Sequence, residues 1–274
     1  MNSLTMPATQ SPATGSPDTG SPALPARARR AAFGQVVLNE ARVTWRRPQG
    51  LIGGLALPAL LLAIFSLIPA FRTPDADLGG LSRLSVYVPI LIVLGLALIA
   101  FYSLPVPLVS YRELGILRRL STTPVPPSWL LAAQGIVNLC LAVTMTLIIV
   151  VAGTALGAAA PKSAAGFALA VLLSIAGLFP IGLVIAAVAK TTTSAGVVGR
   201  VVFFPLMFLA GLWWPRELMT GALHTLSGIS PLGAAVEAIQ DSVQGQFPPA
   251  MPLLVLAAYA VVFGFLAQRW FRWE

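Results

Sequence analysis

The feature that most constrains this chain is a series of long runs with almost no charge: residues 51–71, 86–109, 129–157, 164–189, 194–214 and 252–268. A helix that crosses a bilayer needs about 20 consecutive apolar residues. Each run meets or approaches that length, and Arg200 is the one charge that interrupts the fifth. An ordinary soluble domain has about 25% charged residues. Here only 9% of residues are charged and 57% are hydrophobic, so lipid is the solvent that fits. Backbone inside lipid must bond to itself, which selects helices. The expected fold is therefore an all-α membrane protein with six transmembrane helices. Pro58, Pro89, Pro105, Pro107, Pro180 and Pro205 lie within or near the runs and are expected to kink them.

The net charge is +8, from 17 Lys and Arg against 9 Asp and Glu. The cations sit at the ends of apolar runs and not on a soluble patch, which argues for membrane topology and against nucleic acid. Six spans put both termini on one side. With cytoplasmic termini, the outer side holds Arg72, Arg83, Lys162 and Arg216, and every other cation falls inside. The positive-inside rule favours that orientation in a plasma membrane. Trp213 and Trp214 then mark the outer interface, and Trp270 and Trp273 the inner one. Residues 1–32 read as a disordered cytoplasmic tail: Ser, Pro, Ala and Thr dominate it, and no apolar segment follows a basic one as in a secretory signal. Residues 33–274 form the transmembrane domain.

Three segments between or before the spans carry pattern of their own. Residues 33–47 are a candidate amphipathic helix lying in the membrane interface, with Phe33, Val36, Val37, Val43 and Trp45 on one side and Arg42 and Arg46 on the other. Arg47 closes it, and Glu40 breaks the pattern by falling on the apolar side, where it either snorkels or pairs locally, or makes a polar contact to a neighbouring helix or a partner subunit. The loop after the second span reads Ser110-Tyr111-Arg112-Glu113-Leu114-Gly115-Ile116-Leu117-Arg118-Arg119-Leu120, and then reaches Pro124, Pro126 and Pro127. Ser110 and Glu113 have capping-box spacing, so a short helix is expected to start at Ser110. Residues 213–250, broken by Pro215, Pro231 and Pro248, are too polar to span. They suggest two short helices dipping into the outer leaflet, where their backbone must be covered by protein.

The chain lacks several kinds of chemistry. A phosphate-binding Walker loop needs Gly-Lys followed by Ser or Thr. Lys162-Ser163 follows Pro161 and Lys190-Thr191 follows Ala189, so neither qualifies and no nucleotide cofactor is expected on this chain. Cys140 alone makes no disulfide or thiolate metal site and reads as a small buried hydrophobe. His224 has no ligand-spaced partner, and no metal site is expected. Asp75 and Asp77 read as solvated turn residues. Glu237 and Asp241, four apart on a short helix, are the only acid pair near an interface, with no cationic or histidine companion nearby in sequence. Arg200 lies 13 residues before Trp213. That is about 20 Å of helix in a hydrocarbon core about 30 Å thick, so it either snorkels to the inner interface or lines a pathway or coupling route.

Two of these segments carry a resemblance. Tyr111-Arg-Glu-Leu-Gly-Ile-Leu-Arg-Arg-Leu-Ser-Thr-Thr-Pro124 resembles the coupling-helix loop of type-2 ABC exporter permeases, whose members typically show Arg-Glu-x-Gly-x-Leu-x-Arg-Leu followed by Thr-Pro. Phe208-Leu-Ala-Gly-Leu-Trp-Trp-Pro-Arg-Glu-Leu-Met219, with Ser230-Pro231-Leu232 and Glu237-Ala-Ile, resembles that family's fifth span and outer re-entrant hairpin. The likeness is collinear from about residue 33 onward and is strongest to bacterial drug-exporter permeases of the daunorubicin-resistance kind. It implies an interfacial elbow helix at 33–47 with Phe33, Glu40, Arg46 and Arg47, and a coupling helix at about 111–121. Tyr111, Arg112, Glu113, Gly115, Leu117, Arg118 and Arg119 of that helix would serve a partner ATPase. It also implies an outer hairpin at 213–247 carrying Trp213, Trp214, Pro215, Glu217, Pro231 and Glu237. The partners implied are an ABC ATP-binding subunit that holds ATP and Mg, a second permease subunit (the same chain or a sister) and membrane lipid. The cargo expected from the apolar spans is a hydrophobic or amphipathic compound. An ion-coupled secondary transporter is the alternative, although spans one to four and six contain no ionisable group for it. A membrane-embedded enzyme for lipid-linked substrates would have only Glu237 and Asp241 to work with.

Overall fold

The computed structural model describes residues 26–46, 52–75, 80–116, 126, 128–214, 216 and 219–270. These residues form helices and connecting turns. Helix α1 spans Ala26–Arg46. A π-turn at Ile52–Ala56 leads into α2, Leu57–Leu67, and the short α3, Pro69–Arg72, follows. Helix α4, Arg83–Leu98, runs through a π-turn at Ile99–Ser103 into α5, Pro105–Glu113. Then come α6 (Ser128–Ala155), α7 (Ala164–Val188), α8 (Thr192–Leu209), α9 (Ala222–Ile229), α10 (Pro231–Gln244) and α11 (Ala250–Trp270).

The unbroken path Arg83–Glu113 is the axis of the bundle. It is 31 residues long, and 89% of its apolar window is buried, against 17% for Ala250–Trp270. A helix that is apolar all round must be covered on every side. Here α2, α6, α7, α8 and α10 provide the cover. Successive long helices alternate in direction. The end of α5, the start of α6, the end of α7 and the start of α8 therefore share one end of the bundle with α1. The α9–α10 hairpin lies at the other end.

Pro105 explains the π-turn. Proline has no N–H and its ring crowds the carbonyl four residues back, here that of Phe101. The helix widens, and the Leu104 N–H reaches Ile99 O at 2.9 Å. The widened turn is accommodated by two glycines. A Cβ on Gly182 of α7 would collide with the Ala100 carbonyl, and one on Gly199 of α8 would lie 2.7 Å from Phe101 O. Glycine at both positions lets two neighbouring helices approach the backbone of the axis.

Two expectations change here. Among the described residues, five helices are each long and apolar enough to cross a membrane. The first apolar run, expected as one helix over 51–71, yields only Gly54–Leu67 as a shorter apolar helix. It stops at Ile68, which is extended (φ −87, ψ 114) because Pro69 follows. Helix α1 also starts at Ala26 and not at Phe33, so residues 26–32, expected with the tail, are helical.

The hairpin is two short helices, as expected, and α10 is packed into the bundle with Leu232, Ala234, Ala235 and Ile239 fully buried. Ser230 caps it by accepting from Gly233 N, Pro231 takes its first turn, and Gly245 at φ +95 closes it. Arg216 locks the hairpin. It is 6% exposed, and it donates to Ser227 Oγ at 2.6 Å, to Gly233 O at 3.0 Å and to Glu237 Oε2 at 2.6 Å. Ser227 Oγ in turn donates to Leu209 O at 2.6 Å, which ties the hairpin to the end of α8. Glu237 therefore has a cationic companion, 21 residues away in sequence, and is a structural ion pair. Burial pushes the Asp241 carboxyl up, Glu237 adds to the rise, and Arg216 opposes it.

Candidate functional site

A buried polar cluster lies where α1, α5 and α6 meet, with the end of α7 beside it. Helix α1 turns Phe33, Val36, Val37 and Glu40 inward, while Leu38 and Trp45 face out. Phe33 meets Trp129 of α6 edge to face, with ring centroids 5.5 Å apart. Val36 and Ile116 both pack on the buried cluster of Tyr111 and Leu130. One α-helical turn beyond Val36, the same face carries Glu40.

Glu40 is 3% exposed. Its Oε2 accepts from the Tyr111 hydroxyl at 2.8 Å and from Gln134 Nε2 at 2.6 Å. Gln134 is held in turn by Asn138, whose Nδ2 donates to the Gln134 side-chain oxygen at 3.1 Å and to its backbone carbonyl at 2.9 Å. Buried polar groups are costly unless bonded, so the carboxyl that breaks the α1 pattern is what joins three helices. Of the two readings open from sequence, contact with a neighbouring helix is the one observed.

Next to Tyr111, Arg112 turns to α7. Its guanidinium donates to Ala186 O at 3.3 Å and also to Ala189 O. The last carbonyls of a helix have no partners within it and sit at its negative end. Arg112 thus caps α7 while belonging to α5. Glu113, the last residue of α5, is exposed, as is Leu114. Gly115, at φ +65, turns the chain away. A left-handed residue just past a helix is a stop signal that glycine meets without strain.

This geometry corrects the expectation of a new helix starting at Ser110. Ser110 lies inside α5, and its carbonyl accepts from Leu114 N at 3.0 Å. Ser110 and Glu113 belong to the last turn of the axis helix, so the capping-box spacing is coincidental. Leu117, Arg118, Arg119 and Arg47 lie outside the described residues, as do Pro215 and Glu217. Arg46 is exposed at the end of α1.

The remaining expected residues lie apart from this corner. Trp213 and Trp214 are both exposed at the hairpin end. Arg200 is exposed on α8 and its Nε bonds Gly196 O of its own helix at 3.1 Å. Cys140 faces outward from α6 and is not in the core. Asp75 lies on the surface, paired with Arg83 at 2.9 Å. Sequence reasoning missed Gln134, Asn138 and Arg216. Two amides four residues apart in an otherwise apolar run were the available signal, since polar groups at that depth seek each other.

The family model described as ABC-2 type transporter matches residues 31–244, from within α1 to the end of α10. No curated protein matches the chain significantly.

Proposed function

Because the chain belongs to the ABC-2 type transporter family, we propose that it is the membrane permease of an ATP-driven exporter and receives force at the α1–α5 corner. The observation that carries this reading is the joining of three helices to α5 at its exposed tip. A partner that pushes on Glu113 and Leu114 moves Tyr111 and Arg112 with them. Tyr111 carries Glu40 of α1 and Gln134 of α6. Arg112 carries the end of α7. The same push travels up the axis to the π-turn between Gly182 and Gly199, where a widened turn can relax. Rigid elements with two arrangements are the ordinary means of such switching.

In this reading the partner is an ABC ATP-binding subunit holding ATP and Mg, and α1 is the interfacial elbow. Both termini face the cytoplasm of a bacterial plasma membrane. The π-turn at Ile52–Ala56 with α2 and α3 supplies the first of six spans. Two permeases form the pathway, and a hydrophobic or amphipathic compound is moved outward by alternating access. The α9–α10 hairpin closes the outer end.

The test is purification of the tagged chain from its native host in mild detergent. The expected result is a stoichiometric subunit with a Walker motif, lost on Glu113→Arg while the permease keeps its elution volume. An intact permease that never carries an ATPase contradicts the proposal.

A further inference from the structure

Where α1 packs on the start of α6, the two helices leave an open cleft of about 440 Å³ lined by Arg29, Arg30, Phe33, Trp129 and Ala132. Small-ligand sites occupy about 300–1,000 Å³. Helical spacing builds the cleft. Phe33 follows Arg30 by three residues and Arg29 by four, so all three share one face of α1. Trp129 and Ala132 share a face of α6 in the same way. Among the described residues, the walls are two rings, a methyl group and two guanidiniums. Both arginines are exposed, and among the described residues neither is ion-paired.

From Ala132 an outward apolar stripe continues along α6 through Ile136, Leu139, Val143 and Leu147, all exposed and spaced by three or four residues. Helix α6 is long and apolar enough to cross a membrane. Ala132 to Val143 covers about 16 Å of it, close to half of a hydrocarbon core about 30 Å thick. The cations therefore sit at the surface of one leaflet and the stripe in its interior. Charge and shape together decide the occupant. A soluble anion would use the guanidiniums and leave the rings and stripe bare. A lipid without net charge would use the stripe and leave the cations uncompensated. A phospholipid with a net negative headgroup uses both, because its phosphate accepts from guanidinium N–H groups and its body lies along rings and stripe.

We propose that this cleft is a resident site for an anionic phospholipid of the leaflet on the α1 side. Its phosphate lies on Arg29 and Arg30, its interfacial region against Phe33 and Trp129, and one acyl chain along the α6 stripe. The lipid is a fixed part of the bundle and not its cargo. The site requires only a membrane, so it stands whether or not the chain partners an ATPase. It touches α1 and α6 two helical turns from Glu40, which joins the same two helices. Occupancy therefore tightens that joint, since a ligand held by the folded pair of helices stabilises the pair.

The test is native mass spectrometry of the full chain in detergent, titrated with dioleoyl phosphatidylglycerol, dioleoyl phosphatidylcholine or glycerol phosphate, a headgroup without chains. Wild type should bind phosphatidylglycerol about thirtyfold more tightly than phosphatidylcholine, the preference expected of two cations at a lipid surface. The Arg29→Gln/Arg30→Gln double variant should bind the two lipids alike, and Arg29→Lys/Arg30→Lys should keep most of the preference. Arg42→Gln/Arg269→Gln removes as much charge from exposed positions at the same end of the bundle and should leave the preference intact. Phosphatidylglycerol should raise the melting temperature of wild type but not of Arg29→Gln/Arg30→Gln, whose melting in phosphatidylcholine should match wild type and show it folded. A wild type that does not distinguish the two lipids overturns the proposal. So does an equal loss of preference in the two glutamine pairs, which would mean a diffuse surface-charge effect. Glycerol phosphate bound as tightly as phosphatidylglycerol would mean a soluble-anion site and overturns it too. A fall in oligomer mass confined to Arg29→Gln/Arg30→Gln does the same, because a second copy would then cover the cleft.

Discussion

Tyr111 donates to an oxygen of Glu40 at 2.8 Å, inside a contact that excludes water. Removing that donor with Tyr111→Phe should cost about 1–3 kcal/mol. At roughly 2–4 °C per kcal/mol for a chain of this size, melting in detergent should fall by about 2–12 °C. Tyr111 and Gln134 both donate to the same oxygen, Oε2. Glu40→Ala strips both donors of that acceptor. In the Glu40→Ala background, Tyr111→Phe should then cost little, or even help by deleting a hydroxyl that has lost its acceptor. The coupling energy of that double-mutant cycle should be about 1–3 kcal/mol, well above the ~0.3–0.5 kcal/mol scatter of independent sites. Tryptophan fluorescence on heating reads all four proteins. An equal cost of Tyr111→Phe in both backgrounds would mean that α1 and α5 are not joined through Glu40, and the route of force from α5 to α1 would fail with it.

Three other outcomes follow from the geometry. Gly182→Ala should lower the melting temperature by the equivalent of about 1–3 kcal/mol, since the new Cβ meets the Ala100 carbonyl and α7 must retreat; unchanged melting would mean that α7 does not touch the π-turn. Arg216→Gln should loosen the hairpin by about 1–3 kcal/mol through its lost hydrogen bonds to Ser227, Gly233 O and Glu237, seen as faster amide exchange in α9 and α10 with α4 unaffected. The Asp241 carboxyl has a raised pKa in the folded chain, mainly from burial. Its protonated form is therefore favoured by folding, and its contribution to hairpin stability is lost as pH rises from the ordinary carboxylate range through the raised value. Asp241→Asn should remove that loss, so melting compared between pH 4 and pH 8 should change less in the variant.

Much of this architecture was legible because lipid imposes simple rules. Uncharged runs gave five of the long helices within a few residues, and the positions of Pro215, Pro231 and Pro248 foretold short helices in the hairpin region. Glu40 stood out because a lone carboxyl on an apolar stripe conflicts with the pattern around it. Its partner could not be read, since Tyr111 lies 71 residues away and only packing brings the two together. The same holds for Arg216 and Glu237. The helix start expected at Ser110 failed because local capping spacing competed with the continuation of a long buried helix, and continuation won. The first span was overestimated because composition counts residues but does not register that Pro69 forces Ile68 out of helical geometry.

The central claim is that a separate ATPase docks at the tip of α5. Cys140 is the only cysteine, so a Cys140→Ala background allows single thiols to be placed at will. Glu113→Cys at the exposed end of α5 and Leu226→Cys on the exposed face of α9 would be treated with a short bifunctional crosslinker in native membranes. The account predicts a covalent adduct between position 113 and a Walker-containing subunit, strengthened or weakened by nucleotide, and none from position 226. No adduct at 113, or the same subunit captured from 226, would contradict it.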